Sequence, residues 1–469
     1  MSNTEPDSGA ATASVRRLTD WNTGRLHRLA AEHETPLYVQ DLDRVRTNCE
    51  RLQSTFPDAD IRYAVKAHTG QSVLRTVRAA GLDAECASAG EVDRALAAGF
   101  EGERIHYTAV NPPARDLQYV VEAAAAGTPG LTITVGAVDT LDRLAERGYD
   151  GRVCLRVNPG VGAGHHEKVQ TGGAAKFGVP YERAATVARD AADRFDLVGI
   201  HAHAGSGIDP DQLDSHREMV SRIGELARTL TAHTAAAEAE NPTTGDAESS
   251  EDSAGTGEPA EPLTLEYVDV GGGLGVPYHE DEPPLDLAAV ADATREAVSP
   301  LPDGVTLAIE PGRYVVADAG VLLTRVNTVK PTPDEHVVGV DAGMTDLLRP
   351  AMYDAYHPIA NLGGAPDSPP PSVREATPVT VAGPICETGD TFCTDRSLAD
   401  PIRGDLLAVG IAGAYGYEMA NQYNSRPRPA EVALDRTDTA TLVRRRETLN
   451  DLLAVEQERQ DPPPTEEQR

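Results

Sequence analysis

A closed (β/α)8 TIM-type barrel followed by a mostly β domain is the fold class that this sequence predicts. Three observations carry it. Eight strand-like runs, at residues 61–66, 82–86, 104–107, 131–135, 152–157, 197–203, 265–270 and 306–310, alternate with alanine-rich, helix-like stretches. Such alternation calls for a parallel sheet, and eight units close a barrel. Polar side chains that are unusual in a strand collect at the C-terminal ends of these runs, where a parallel barrel places its active site. Beyond residue 310 the texture changes to short strand-like runs between proline and glycine turns. A doubly wound open sheet is the structural alternative, but its Gly-x-Gly-x-x-Gly after the first strand is missing.

Taken in order, residues 1–13 read as a polar, disordered tail with neither the basic start nor the apolar run of a signal peptide. Residues 36–40 read as a strand, and the 14–40 segment is expected to lend it to the β domain. Asp41 opens a helix to about residue 52. The barrel, 36–310, carries helices at 72–80, 90–98, 114–126, 138–147, 181–193, 210–232 and 285–298. It is interrupted at 233–262 by an acidic segment without leucine, isoleucine or valine. Such a segment buries too little apolar surface to offset its ordering entropy and reads as a disordered insertion. The β domain, 311–456, shows strand-like runs at 314–316, 321–329, 336–340, 378–381 and 405–409, then a short helix near 439–456. Residues 457–469 form a second disordered tail.

The net charge is -32, from 74 acidic and 42 basic side chains. That sign argues against nucleic acid or an anionic membrane as partner. No segment is apolar for long enough to span a bilayer, and five scattered cysteines without metal-ligand spacing fit a reducing cytoplasm. Acid excess, few aromatics and few lysines together suggest adaptation to a salt-rich interior.

The only lysines are Lys66, Lys168, Lys176 and Lys330. Arginine carries nearly all the positive charge, so a lysine closing an apolar strand points to amine chemistry that a guanidinium cannot perform. Lys66 ends the first strand, Glu85 and Cys86 the second, and Arg156 and Asn158 the fifth. His201 and His203 close the sixth with Gly205-Ser206-Gly207 beyond, Gly271-Gly272-Gly273 follows the seventh, and Glu310 with Gly312-Arg313 the eighth. An amine can condense with a carbonyl cofactor, glycine turns expose N–H groups to a phosphate, and a carboxylate can pair with a pyridinium. His203 could stack over an aromatic ring. Together these describe a pyridoxal phosphate site. Read singly, a strand-end lysine is more often an ion-pair partner, and Gly-Gly-Gly usually a tight turn. The His-x-His pair also admits a zinc-dependent barrel hydrolase, which needs further ligands at other strand ends.

Tyr63-Ala64-Val65-Lys66-Ala67, His201-Ala202-His203-Ala204-Gly205-Ser206, Asp269-Val270-Gly271-Gly272-Gly273, Glu310-Pro311-Gly312-Arg313, Gly383-Pro384-Ile385-Cys386-Glu387-Thr388-Gly389-Asp390 and Gly413-Ala414-Tyr415-Gly416 resemble the fold-type III pyridoxal phosphate decarboxylases. Leu348-Arg349-Pro350-Ala351-Met352-Tyr353 resembles them too, and the likeness is collinear from about residue 36 to 431. Within that group it is greatest to the diaminopimelate decarboxylases, which form lysine from meso-diaminopimelate. The resemblance implies that Lys66 carries the cofactor and His203 stacks on its ring. Glu310 then holds the ring nitrogen, and Ser206, Gly272, Gly273, Gly312 and Arg313 surround the phosphate with Tyr415 nearby. It implies a substrate site of Arg313, Arg349, Tyr353, Glu387 and Tyr415. Cys386 is then the acid that reprotonates carbon, and Cys386 and Glu387 come from the partner subunit of a homodimer. A metal is not implied.

The chain departs from the family pattern in places. His68 stands where asparagine is usual, Thr108-Ala109-Val110-Asn111-Pro112-Pro113 replaces a Gly-Asn-x-x-Lys-like stretch, Gly136-Ala137-Val138-Asp139-Thr140 stands for a Val-Asp-Ser pattern, and Ala204 for a larger aliphatic. The nearest alternative is a sister decarboxylase for ornithine, arginine or a carboxylated polyamine, in which aspartate usually follows the cysteine. A racemase of the same fold and a cofactor carrier without the β domain are weaker alternatives. Salt adaptation predicts that activity and dimeric state fall in dilute buffer and return in concentrated salt. Full activity at an unchanged size in dilute buffer would rule it out.

Overall fold

The computed structural model describes residues 15–161, 176–203, 205, 212–232, 261–333, 336–364, 369–436 and 439–457. The expected tails, but for residue 457, and all but the last two residues of the 233–262 insertion lie outside these. The chain divides into two units. One comprises Val45–Val276 and Pro284–Val315, the other Met1–Arg44, Pro277–Pro283 and Val316–Arg469.

The first unit is a closed parallel barrel of eight strands: Ala59–Ala64, Asp83–Cys86, Ile105–Tyr107, Thr132–Val135, Arg152–Asn158, Asp196–His201, Tyr267–Asp269 and Thr306–Ile309. Each pairs with the next, and the last returns to the first with Leu307 opposite Ala59 and Ile309 opposite Ile61. Because strand side chains alternate, Arg62, Cys154, Arg156, Tyr267 and Asp269 share the inward face. Gly199 lies there too: a Cβ on it would come 2.6 Å from the Tyr267 ring. That ring in turn lies 3.8 Å from the Arg62 guanidinium carbon. The outward positions, Tyr63, Ile133 and Leu155 among them, are sealed. The surrounding helices supply matching stripes, such as Val73, Leu74 and Val77 of Gln71–Ala79.

Two expected elements differ. The first strand stops at Ala64, where pairing with the second ends opposite Glu85. Lys66 sits in a single 3-10 turn, Val65–Ala67, closed by His68 N–H donating to the Val65 carbonyl at 3.0 Å. Ala64 N–H is taken by the Pro311 carbonyl at 3.0 Å rather than by a sheet partner, so the ladder cannot continue. The run at 314–316, expected as strand for its β-branched residues, falls in the short helix Arg313–Val316, whose first turn closes from Val315 N to Gly312 O.

The second unit is a nine-stranded sheet. Its backbone is Gly320–Pro331, antiparallel to Leu37–Asp41, His336–Val340 and Leu406–Val409. Leu37–Asp41 runs parallel to Ala430–Leu434 on its other side. Both faces are covered, which alternation makes visible. Leu37, Val39, Val321 and Leu323 join Trp21, Leu26 and Leu29 in one core. Tyr38 and Leu322 join Val338, Val379 and Val409 in the other. Helix Thr23–His33, with Asn22 accepting Arg25 N–H at 2.9 Å as its cap, brings Leu26, Leu29 and Ala30 onto the first face. The helix expected near 439–456 is instead the strand Ala440–Arg444, which finds backbone partners along Ala430–Leu434, and a short helix, Leu449–Leu453, capped by Thr448. Among the described residues no helix is long and apolar enough to cross a membrane.

A strand buried on both faces makes a sharp forecast. Leu322→Ala and Leu323→Ala should each cost about 2–5 kcal/mol. Asn327→Ala, on the exposed end of the same strand, should stay within about 0.5 kcal/mol. Urea denaturation midpoints of the three variants check it.

Candidate active site

The C-terminal rim of the barrel carries a set of coupled charges. Lys66 Nζ donates to Glu85 Oε2 at 2.7 Å, the amine half exposed and the carboxylate buried. Burial pushes the Glu85 carboxyl up, and the neighbouring Lys66 pulls it the other way. His201 Nε2 stands 3.2 Å from Glu310 Oε2. Burial holds the His201 imidazole down to about 3, so at neutral pH it is an uncharged ring that donates Nε2–H to the carboxylate. Its Nδ1 has no hydrogen-bond partner among the described residues, as this tautomer expects. Glu310 itself is pushed up by burial and drawn down by Lys66, Arg156 and Arg62.

Deeper in the barrel, Arg62 Nη1 donates to Asp269 Oδ2 at 2.8 Å, and Asp269 Oδ1 accepts Gly271 N–H at 2.8 Å. Burial, with Glu310 adding, pushes Asp269 up to about 6. Arg156 is buried, lies 5.0 Å from the Phe177 ring, and is pushed down by that burial. Three cations (Lys66, Arg62, Arg156) therefore face three carboxylates (Glu85, Asp269, Glu310), and the two histidines stay neutral. His203 is pushed well down by burial, then by Arg156 and Lys66.

The seventh-strand turn is built for close approach. Gly271 and Gly273 have φ of 72° and 106°, a region that favours glycine. A Cβ on Gly272 would land 2.1 Å from the Glu310 carbonyl oxygen, and one on Gly271 2.6 Å from His203 Nδ1. Gly272 N–H donates to that Nδ1 at 3.3 Å. Gly312 packs so closely on the lysine turn that a Cβ would meet the Cβ of Ala64 at 3.0 Å. Thus Lys66, His203, Gly272, Gly273, Glu310, Gly312 and Arg313 all belong to the barrel unit. Ser206 lies outside the described residues. Glu85, Arg156, His201 and Asp269 complete the set; the first three stand at strand ends in the sequence and Asp269 inside the seventh run, but only the fold shows which pairs with which.

His201, Asp269 and Glu310 bring one ligand atom each within 4.8 Å of one another, a spacing that a metal could use. Both oxygens of Asp269 are already engaged, however, by Arg62 and by Gly271 N–H. Glu310 is balanced by Lys66 and Arg156. An amine, a buried carboxylate and a glycine turn are instead the donor set for pyridoxal phosphate, and the residues fit that group.

The remaining candidates belong to the second unit. Arg349 is buried and opens the short helix Arg349–Tyr353, which ends on Tyr353 before Asp354 at φ 52°. Tyr415 has φ 56°. Cys386 is exposed, and Asn424 Oδ1 accepts both its backbone N–H at 3.2 Å and its thiol at 3.3 Å. Glu387 accepts the Tyr423 hydroxyl. The loop is held by buried Asp390, whose side chain accepts Met344 N–H at 2.5 Å and Ile385 N–H at 2.6 Å. Asn424 and Tyr423 carry no sequence signal of their own, since their partners are about forty residues away.

A barrel with this rim defines a pyridoxal-dependent decarboxylase: the pyridoxal-binding domain of that family matches residues 42–235 and 256–317, more than half of the chain. The diaminopimelate decarboxylase of Methanothermobacter thermautotrophicus is 41% identical over 91% of this chain and 92% of its own. That of Escherichia coli K12 is 36% identical over 93% and 97%. The crystal structure of the Helicobacter pylori diaminopimelate decarboxylase complexed with L-lysine superposes with a TM-score of 0.77 at 31% identity, covering 92% of this chain and 99% of that one. The chain belongs to the diaminopimelate decarboxylase family. A lysine/ornithine decarboxylase from Vibrio vulnificus, at 21% identity and a TM-score of 0.70, shares the fold.

Breaking the deepest ion pair has a large expected cost. Asp269→Ala leaves the buried Arg62 charge with the half-exposed Asp60, 3.8 Å away, in place of its close partner and should destabilise the barrel by about 3–5 kcal/mol. Chemical denaturation followed by far-UV circular dichroism measures this, and a change below about 1 kcal/mol would mean that Arg62 finds another partner.

Proposed function

We propose that this protein decarboxylates meso-2,6-diaminopimelate to L-lysine and CO2 with pyridoxal phosphate, the last step of lysine formation. The observation that carries the reading is the family membership over nearly the whole chain, joined to an amine on a buried carboxylate at the barrel rim. Lys66 would hold the cofactor, His203 cover its ring and Glu310 meet its nitrogen. Gly272, Gly273, Gly312, Arg313 and Ser206 would sit around its phosphate, with Tyr415 beside it. When bound, the cofactor supplies an electron sink for the bonding pair left behind as CO2 departs.

The chain's own residues do the rest. Glu85, 2.7 Å from Nζ, orients the Lys66 amine and would accept a proton from it. Glu310, pushed up by burial with Lys66, Arg156 and Arg62 opposing that shift, would stand opposite the ring nitrogen and share a proton with it. The Cys386 thiol would deliver a proton to the carbon that lost CO2, and Asn424 Oδ1 orients that thiol. Arg349, with Arg313, Tyr353, Glu387 and Tyr415, would meet the far end of the substrate, which bears a carboxylate and an ammonium. An arginine there favours diaminopimelate over ornithine or arginine, whose far ends are cationic.

We further infer a homodimer in which Cys386 and Glu387 of the partner subunit complete each site. The exposure of Cys386 in the single chain supports this. The acidic, lysine-poor composition supports a salt-rich cytoplasm as its home.

Incubation with meso-diaminopimelate, ornithine and arginine, with CO2 and product measured, tests the reading. Lysine from the first and little turnover of the others is expected, and turnover of ornithine alone would move the protein to the sister decarboxylases. Cys386→Ala should bind substrate yet turn over about 100- to 10,000-fold more slowly. Turnover at the wild-type rate removes the thiol from the chemistry.

A further inference from the structure

Arg349 does not stand alone. Its Nη1 carries two protons: one meets the Tyr278 hydroxyl oxygen at 2.8 Å, the other His357 Nε2 at 2.9 Å. The guanidinium carbon also lies 4.8 Å from the Tyr278 ring centroid, so the tyrosine holds it by oxygen and by face. An arginine can only donate, so His357 Nε2 must offer its lone pair. The ring proton is then on Nδ1, and the Gly410 carbonyl oxygen stands 2.9 Å away to accept it. A donor on one side and an acceptor on the other leave the imidazole one arrangement, neutral and Nδ1-protonated. His357 is fully buried, and its ring meets Tyr278 edge-on at 5.1 Å.

The clamp is anchored behind. Glu282 Oε2 accepts the backbone N–H of Tyr278 at 2.9 Å and of His279 at 3.1 Å, which fixes the turn that carries the tyrosine. Arg396 Nη1 donates to the His357 carbonyl at 3.1 Å. With both Nη1 protons engaged, the plane of the guanidinium is set. The direction from which a carboxylate can pair with it is set as well. A long side chain that would lose its rotamer freedom on meeting substrate has lost it already on folding.

We propose that Tyr278 and His357 are positioning residues that fix Arg349 as the receptor for a carboxylate at the far end of the substrate, and that this clamp sets the preference for a substrate carrying one. The inference rests on the reading of Arg349 as a substrate-binding residue.

The test uses the holoenzyme and His357→Ala, His357→Gln and Tyr278→Phe, with calorimetric titration by L-lysine, which keeps the far-end carboxylate, and by cadaverine, the same chain without it. His357→Ala should weaken lysine and raise KM for meso-diaminopimelate about 10-fold, with kcat held within about two-fold and cadaverine binding unchanged. His357→Gln, which can offer Arg349 an oxygen and Gly410 an N–H, should recover part of the loss, and Tyr278→Phe should lose about three-fold. These last two keep side-chain volume and carry the test if the alanine variant does not fold. Wild-type and variants that separate lysine from cadaverine equally well overturn the clamp alone, as does a fall in kcat at constant KM. A wild-type enzyme that cannot tell the two ligands apart overturns the substrate reading and the clamp with it.

Discussion

An arginine inside a closed barrel has to be neutralised where it stands, and much of the barrel unit follows from how Arg62 is. The tyrosine face beneath it needs the empty position at Gly199. The aspartate beside it spends one oxygen on the guanidinium and the other on Gly271 N–H. The Gly271 carbonyl then takes Glu310 N–H at 2.9 Å. A buried charge pair thus sets the glycine turn, and the glycine turn sets the backbone of the carboxylate that meets His201. Such a pair contributes little net stability against a well-packed apolar substitute, but each partner makes the other indispensable.

The β unit uses buried and half-buried carboxylates for a different purpose: they gather backbone N–H groups at turns. Asp390 holds the loop that carries Cys386 and Glu387. Asp346 accepts Gly343 N–H at 2.9 Å, and burial pushes it up to about 7. Asp341 accepts the Thr324 hydroxyl at 2.7 Å and Arg325 N–H at 2.9 Å. Each converts a glycine-rich, otherwise adaptable stretch into one defined shape. Asp341, in Asp-Ala-Gly-Met, and Asp390, in Thr-Gly-Asp, thus shape the backbone, and neither is assigned to substrate.

The barrel was legible because its strands and helices follow strong periodicities, and Lys66 because a lysine is rare in this chain. The strand-end rule exposed Glu310 and His203. It could not pair Lys66 with Glu85 or Arg62 with Asp269, since neither partner is a sequence neighbour. The turn under Lys66 was read as strand because Val65 favours strand, and the Pro311 carbonyl that ends the ladder is 247 positions away from Ala64. In the β unit, Ile359–Gly363, Thr391–Ala399 and Ala430–Leu434 went unread as strands. They alternate weakly or are buried on both faces, so neither polarity nor period marks them. Tyr278 and His357 were invisible for a simpler reason. Their importance lies wholly in what they touch.

The scarcity of lysine has one more side. Pyridoxal phosphate is an aldehyde, and it condenses with any accessible amine that it meets. In this chain only four lysines compete for it, and one of them is Lys66. Replacing surface lysine with arginine removes decoys, because a guanidinium keeps its charge and does not trap the aldehyde. A lysine-poor composition thereby narrows the choice of amines that the aldehyde can meet.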